Sequence, residues 1–301
     1  MPNKPYSRYE EIPRGQASEE LVDGCLVLEG GAFRGLYTQG FLDAMMVNDL
    51  NMKCVIGVSA GALSGMNYVA GQIGRSGRIN LGYRHDDRYF GTRAMLHSHS
   101  PLDISFLLED RGILEPFDEE RFLRPEQRFV AVATNCWTGE PEYFEKGACD
   151  DIYAAVQASA TMPYMSPMVD IGGIPYLDGG CSCKIPYKWA IDCGFEKIVV
   201  IRTRAASFRK PNKAHEAALK AYKNHPEFAR RLSKSDIDYN RQCDEIERLN
   251  GWGRLMRIAP SKPVSVSRLE GDLEKLGDLY WLGWNDCHAA LKVMKSYLGI
   301  A

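Results

Sequence analysis

Cys54-Val55-Ile56-Gly57-Val58-Ser59-Ala60-Gly61-Ala62-Leu63 decides the fold. A short apolar run suited to a buried strand ends in Gly-x-Ser-x-Gly and passes directly into small residues suited to a helix packed on a sheet. So short a junction must turn sharply. Side chains at its flanks would collide, so glycines stand at 57 and 61. The serine is expected at the apex, exposed above the sheet edge, at a helix N-terminus that favours developing negative charge. Ser59 is therefore the candidate nucleophile.

The pattern repeats upstream. Cys25-Leu26-Val27-Leu28 reads as a buried parallel strand, and it runs into Gly30-Gly31-Ala32-Phe33-Arg34-Gly35. A helix is predicted over 36–50, with Leu36, Phe41, Ala44, Met45 and Met46 on its apolar side and Gln39, Asp43 and Asn48 at polar positions. The first 70 residues thus read β-turn-α-β-turn-α. Both glycine-rich turns fall at the carboxyl ends of strands, the edge at which open α/β sheets bind ligands.

Downstream, Phe129–Thr134 and Lys197–Arg202 have strand character, and Thr138-Gly139-Glu140-Pro141 reads as a hairpin turn. Helices are predicted over 151–160, stopped by Pro163, and over 186–193, ended by Gly194. Residues 209–250 are charged and mostly helical with a break at Pro226; Leu255–Ala259 suits a late strand and Asp272–Leu298 a terminal helix. Residues 1–20 read as a polar arm, and 74–125 as an insertion or cap beside the site. No Gly/Ser/Pro-rich linker divides the rest, so residues 21–301 are expected to form a single domain.

The chain has 301 residues, 45% of them hydrophobic, and a net charge of -2. This balance gives no reason to expect a nucleic-acid partner. The polar start, Met1 to Gln16, has no apolar segment of the kind a signal peptide carries, and no run of about 18 apolar residues occurs. The expectation is a cytoplasmic protein whose membrane contact, if any, is peripheral. Nine scattered cysteines fit a reducing compartment. Cys25, Cys54 and Cys136 sit in or beside apolar runs as small core residues. Cys181 and Cys183, with only Cys193 nearby, lack the ligand number and spacing of a metal site, so no metal is expected.

Acyl transfer needs a nucleophile, a base and donors to an oxyanion. Asp178 follows Ile174, Tyr176 and Leu177 and precedes Gly179-Gly180, which lets the backbone bring its carboxylate against another loop. It is the candidate base. The backbone amides of Gly30, Gly31 and Ala32 are candidate oxyanion donors. An ordinary turn serine and an ordinary Asp-Gly turn are the structural alternatives for Ser59 and Asp178. The Gly30 loop has neither the G-x-G-x-x-G spacing of a dinucleotide site nor the G-K-[S/T] of a P-loop. His215, His225 and His288 follow Asp178 in the order of a Ser-Asp-His triad, but no glycine-rich loop presents them.

With these motifs together, the chain resembles bacterial patatin-like phospholipases, relatives of plant patatins and cytosolic phospholipases. That family's G-G-G-x-[R/K]-G loop, G-x-S-x-G elbow and D-G-[G/A] loop are matched in order by Gly30–Gly35, Gly57–Gly61 and Asp178–Gly180. Ala158-Ser159-Ala160-Thr161-Met162-Pro163 resembles the stretch preceding the aspartate loop, and Leu282-Gly283 in the terminal helix adds a weaker likeness. The motif-bearing core covers about 24–203, with a helical part over about 205–301. The resemblance implies an αβα sandwich with a mostly parallel sheet, a Ser59-Asp178 dyad in place of a triad, and hydrolysis of lipid carboxylic esters through an acyl-serine with no cofactor. Ala32 departs from the family's third glycine: its N–H survives, but a positive φ there would strain it. Arg34 either braces the loop or faces a lipid phosphate. The Arg/Tyr-rich stretch 75–93 either meets anionic lipid heads or forms a solvated, salt-bridged surface. The alternatives in function are an esterase for small soluble esters and a non-catalytic lipid- or acyl-binding protein.

Overall fold

A computed structural model describes residues 6–99, 102–103, 105–107 and 116–300. In chain order its elements are β1 (Gly15–Gln16), β2 (Leu21–Leu28), α1 (Gly35–Val47), β3 (Asn51–Val58), α2 (Ala60–Val69), β4 (Gln72–Ile73), α3 (Arg75–Tyr83), α4 (Thr92–Ser98) and α5 (Glu119–Leu123). Then follow β5 (Arg128–Asn135), β6 (Pro141–Glu145), α6 (Ile152–Ala160), β7 (Val169–Ile171), β8 (Ile174–Asp178), α7 (Tyr187–Asp192), β9 (Ile198–Ile201), α8 (Ala217–Ala221), α9 (Pro226–Gly251), β10 (Met256–Ile258) and α10 (Leu273–Leu298).

Among the described residues one eight-stranded sheet runs in the order β10-β9-β2-β3-β5-β8-β7, with β6 paired to β5. The five strands from β10 to β5 are mutually parallel; β6, β7 and β8 run antiparallel to their neighbours. Alternation along the central strands divides the core. Leu26, Leu28 and Val55 join the apolar sides of α1, α2, α6 and α10, whereas Cys25, Val27, Cys54 and Ile56 meet α7 and α9. The result is the mixed α/β sandwich with a mostly parallel sheet expected above.

Two expectations change. α1 is not an amphipathic surface helix: all but the last of its 13 residues are buried, because α10 covers the side turned away from the sheet. Its polar residues find internal partners. Asp43 accepts hydrogen bonds from Gly74 N (2.8 Å) and Tyr280 Oη (2.7 Å), and Gln39 accepts one from Asn80 Nδ2 (3.3 Å). The N-terminal stretch is packed in place as well. Tyr6 and Ile12 are buried, and Ser7 Oγ donates to Glu274 at 2.6 Å.

The two ends that matter most meet on one edge of β5. β3 pairs with β5 as far as Val58↔Val132, and β6 occupies the opposite edge over 130–134. β8 then takes up the edge that β3 has left, with Asp178 opposite Ala133. The carboxyl ends of β3 and β8 therefore point at each other across consecutive residues of β5, and the residue after Val58 is Ser59.

Candidate active site

The turn from β3 into α2 has the expected geometry. Ser59 has φ 56 and ψ -124, a backbone conformation that costs a non-glycine residue about 1–3 kcal/mol and persists only when its surroundings enforce it. A Cβ at 57 would lie 2.5 Å from the carbonyl carbon of Gly61, and one at 61 would lie 2.5 Å from Leu28 O. Both glycines are sterically obligatory. The enforcing partner comes from α6: Ser59 N–H donates to Ser159 Oγ at 2.9 Å, and Ser159 is fully buried. The sequence marked the stretch around Ser159 without indicating this role. Ser59 is buried rather than exposed, because Met162, Leu269 and the insertion roof the sheet edge.

Asp178 is held at the end of β8 through its main chain. Its N–H donates to Thr161 O (2.9 Å), and its carbonyl accepts from Thr134 Oγ1 (2.9 Å). Oδ1 accepts from Gly180 N at 2.7 Å, and the Ser59 hydroxyl is within hydrogen-bonding reach. Burial pushes the Asp178 carboxyl above the ordinary value of 3.8. The Gly180 and Ser59 hydrogen bonds and the charges of Arg268 and Lys184 pull against that rise without cancelling it.

The Gly30 loop follows β2 and lies against the nucleophile, close enough that a Cβ at 30 would be 3.0 Å from the Ser59 Cβ. Thr203, just past β9, secures it: Thr203 Oγ1 donates to Gly30 O (3.3 Å), and Thr203 N donates to the buried Glu29 Oε2 (2.6 Å). Among the described residues no protein group accepts the N–H of Gly30, Gly31 or Ala32. Ala32 has φ 49, the positive value that the alanine tolerates only under strain.

Two hollows meet at Ser59. One is small and mostly apolar, about 60 Å³, walled by side chains that include Phe33, Leu63, Ile79, Phe90 and Met162. The other is a cleft of about 670 Å³ that holds Ser59 and Asp178 together with the Gly30 loop and Arg34. The insertion supplies part of the apolar wall, but the arginines of 75–93 do not form one outward-facing array. Arg75, Arg78 and Arg84 are buried braces, bonded to Asn67, to Pro13 and Ile73, and to Glu270 and Leu269. Arg84 also stacks over Phe33 and Phe90 at 4.5 and 4.1 Å. Of the five arginines in 75–93, Arg88 and Arg93 lie outside, beside Asp86 and Asp87.

The histidines of the triad alternative are dispersed. His288 bonds Trp284 O on the exposed side of α10, and His225 begins α9. His215 borders the large cleft, but its Nε2 is 2.7 Å from Asp236 Oδ2. The cysteines Cys181 and Cys183 are buried free thiols. The described residues contain no helix long and apolar enough to cross a membrane.

Comparison with known proteins adds two family matches. The model of the patatin-like phospholipase family matches residues 26–191, more than half of the chain, and a domain of unknown function (DUF6363) matches residues 225–299. The uncharacterized protein YjjU of Escherichia coli (strain K12) is 28% identical over 268 residues, spanning 86% of this chain and 74% of that protein. The crystal structure of VipD from Legionella pneumophila superposes with a TM-score of 0.49 at 14% identity, covering 94% of this chain and 68% of that one.

Proposed function

This chain belongs to the patatin-like phospholipase family, and from that premise we propose that it is a serine lipid acyl hydrolase working through Ser59 and Asp178. The observation that carries the reading is the placement of a strained, pinned serine beside a buried carboxylate, at the junction of a small apolar pocket and a larger cleft that charged side chains also line. In this mechanism Asp178 takes the hydroxyl proton as Ser59 Oγ attacks the ester carbonyl. The carbonyl oxygen becomes an oxyanion facing the amides of Gly30 and Gly31, with Ala32 as a third donor; one such donor typically contributes about 2.7–4 kcal/mol. Collapse of the tetrahedral intermediate breaks the bond to the alcohol, which leaves with the proton from Asp178. Water then attacks the acyl-serine by the same route and regenerates Ser59.

A serine hydroxyl is a weak nucleophile unless its proton has somewhere to go. A carboxylate raised above its ordinary value is a stronger base than an exposed one, and that suits Asp178 to act without a histidine. The apolar pocket suits an acyl chain, and the cleft suits whatever the ester oxygen carries. A second reading, hydrolysis of small soluble esters, is favoured by the modest size of the apolar pocket, about 60 Å³. A series of esters of increasing chain length separates the two.

The test is fluorophosphonate labelling of wild type and Ser59→Ala, with the modified residue mapped by mass spectrometry, alongside hydrolysis of a phospholipid. Stoichiometric labelling at Ser59 and lipid turnover, both lost in the variant, is the expected result. A folded wild-type protein that neither labels nor turns over lipid refutes the proposal and leaves lipid binding as the function to measure.

A further inference from the structure

The catalytic proposal uses only one wall of the 670 Å³ cleft. Five cationic side chains line the cleft: Arg34, Lys184, Arg204, Lys210 and Arg268. It contains three carboxylates, and each is engaged. Glu29 is buried and accepts Thr203 N. Asp178 faces Ser59. Asp236 binds Lys210 at 2.6 Å and His215 at 2.7 Å, with Lys184 4.0 Å away.

No carboxylate among the described residues lies within ion-pair distance of the remaining three cations, Arg34, Arg204 and Arg268. Arg34 is the most telling. It is 7% exposed, its Nε is buried without a partner, and its guanidinium makes no hydrogen bond to the described residues. Burying an unpaired charge is costly. Burial, followed by repulsion from Arg204 and Arg268, pulls Arg34 down to about 10. A group that stays this unfavourable is expected to have a ligand that offsets the cost.

The three arginines arrive on separate segments, each anchored. Arg34 leaves the Gly30 loop. Arg204 follows β9, stacks over Phe208 at 4.7 Å and donates through Nη1 to Val264 O at 2.7 Å. Arg268 lies between β10 and α10; its carbonyl accepts Phe33 N at 3.2 Å, which ties this segment to the Gly30 loop. We infer that Arg34, Arg204 and Arg268 form a phosphate site that receives the anionic headgroup of the lipid substrate. Two of the three lie beyond the patatin-like match, and Arg268 belongs to the segment matching the domain of unknown function. That segment thus acquires a role: it walls the headgroup side of the site. With five cations against three carboxylates, the cleft complements a dianionic phosphate monoester better than a zwitterionic headgroup.

The inference rests on the catalytic reading for its enzymatic test and has a binding test that does not. Phosphatidic acid and phosphatidylcholine with identical acyl chains are presented in neutral detergent micelles, with p-nitrophenyl butyrate as an ester lacking a headgroup. Wild type should hydrolyse phosphatidic acid at least tenfold faster than phosphatidylcholine in kcat/KM. In Arg204→Gln/Arg268→Gln the ratio of phosphatidic acid to p-nitrophenyl butyrate hydrolysis should fall at least tenfold, and Arg268→Lys alone should keep part of the preference. Equal rates on the two phospholipids, or a ratio unchanged in the double variant, overturn the inference while leaving the catalytic proposal standing. Calorimetry of Ser59→Ala with the same micelles and with inorganic phosphate reads the site independently of turnover. Preferential binding of phosphatidic acid micelles is the expected outcome. Binding of inorganic phosphate without any preference between the two lipids would make this a site for free phosphate and overturn the headgroup assignment.

Discussion

At the scale of single residues, the site keeps two unfavourable features. Ser59 is held at φ 56, and Asp178 carries a carboxyl that burial raises above 3.8. The second has a testable consequence for stability. Between the unfolded value and the higher folded value the native state binds more protons than the unfolded chain, so this group's contribution falls as pH rises through that window and remains a penalty at neutral pH. Asp178→Asn removes the penalty while its amide oxygen can still accept from Gly180 N. Its melting temperature at pH 7 should exceed that of wild type, with the difference vanishing on acidification below about pH 4, and its esterase activity should be abolished. A lower melting temperature at pH 7 would mean that Asp178 stabilises the fold in its ionised form. Catalysis reports the same group from the other direction. In the proposed mechanism Asp178 must be ionised to act as base, so the acid limb of kcat/KM should sit above the ordinary carboxylate range. Histidine substitutions separate dyad from triad: His288→Ala, far out on α10, should retain most activity, and its loss in a folded protein would sink the dyad.

At the scale of elements, the contact between α1 and α10 explains two glycines that motif reading leaves obscure. A Cβ at Gly40 would lie 1.9 Å from Tyr280 O, and one at Gly283 would lie 1.9 Å from Tyr37 O. The two helices touch backbone to backbone, which leaves no room for a side chain at either glycine. Gly283→Ala should force the helices apart and destabilise the protein by at least about 2 kcal/mol, read from urea unfolding. Because α1 begins directly after the Gly30 loop, the same variant should lower kcat. Unchanged stability would show that the helices slide without penalty. Part of the element order was legible: apolar runs marked β2, β3, β5 and β9, and Pro226 marked the break before α9, whereas β1, β4, β7, β8 and the helices α3 to α5 carried no clear signal. The burial of α1 was not legible. Gln39 and Asp43 stand at polar positions in the sequence, and only the packing of the segment from Gly74 through α3 and of α10, more than two hundred residues later, makes them interior.

At the scale of the whole molecule, the patatin-like segment and the C-terminal segment share one core. α9 covers the sheet face formed by Cys25, Val27, Cys54 and Ile56, and α10 covers α1. A chain ending at residue 224 would expose both surfaces. It is expected to be insoluble or to lack near-ultraviolet circular dichroism, and recovery of a cooperatively folding, active fragment would contradict that expectation.

The sequence by itself determined the parts whose physics is local. Gly57 and Gly61 are needed because atoms a few residues apart, or on the neighbouring strand, would otherwise overlap. The order of loop, elbow and aspartate follows from strands that end in glycine. Tertiary structure alone decided what those parts face. The exchange of β3 for β8 along one edge of β5 sets Asp178 beside Ser59. The packing of α10 turned a polar helix face inward, and three arginines from positions 34, 204 and 268 line one cleft. Such meetings depend on long-range pairing and packing, for which no spacing along the chain provides a signal.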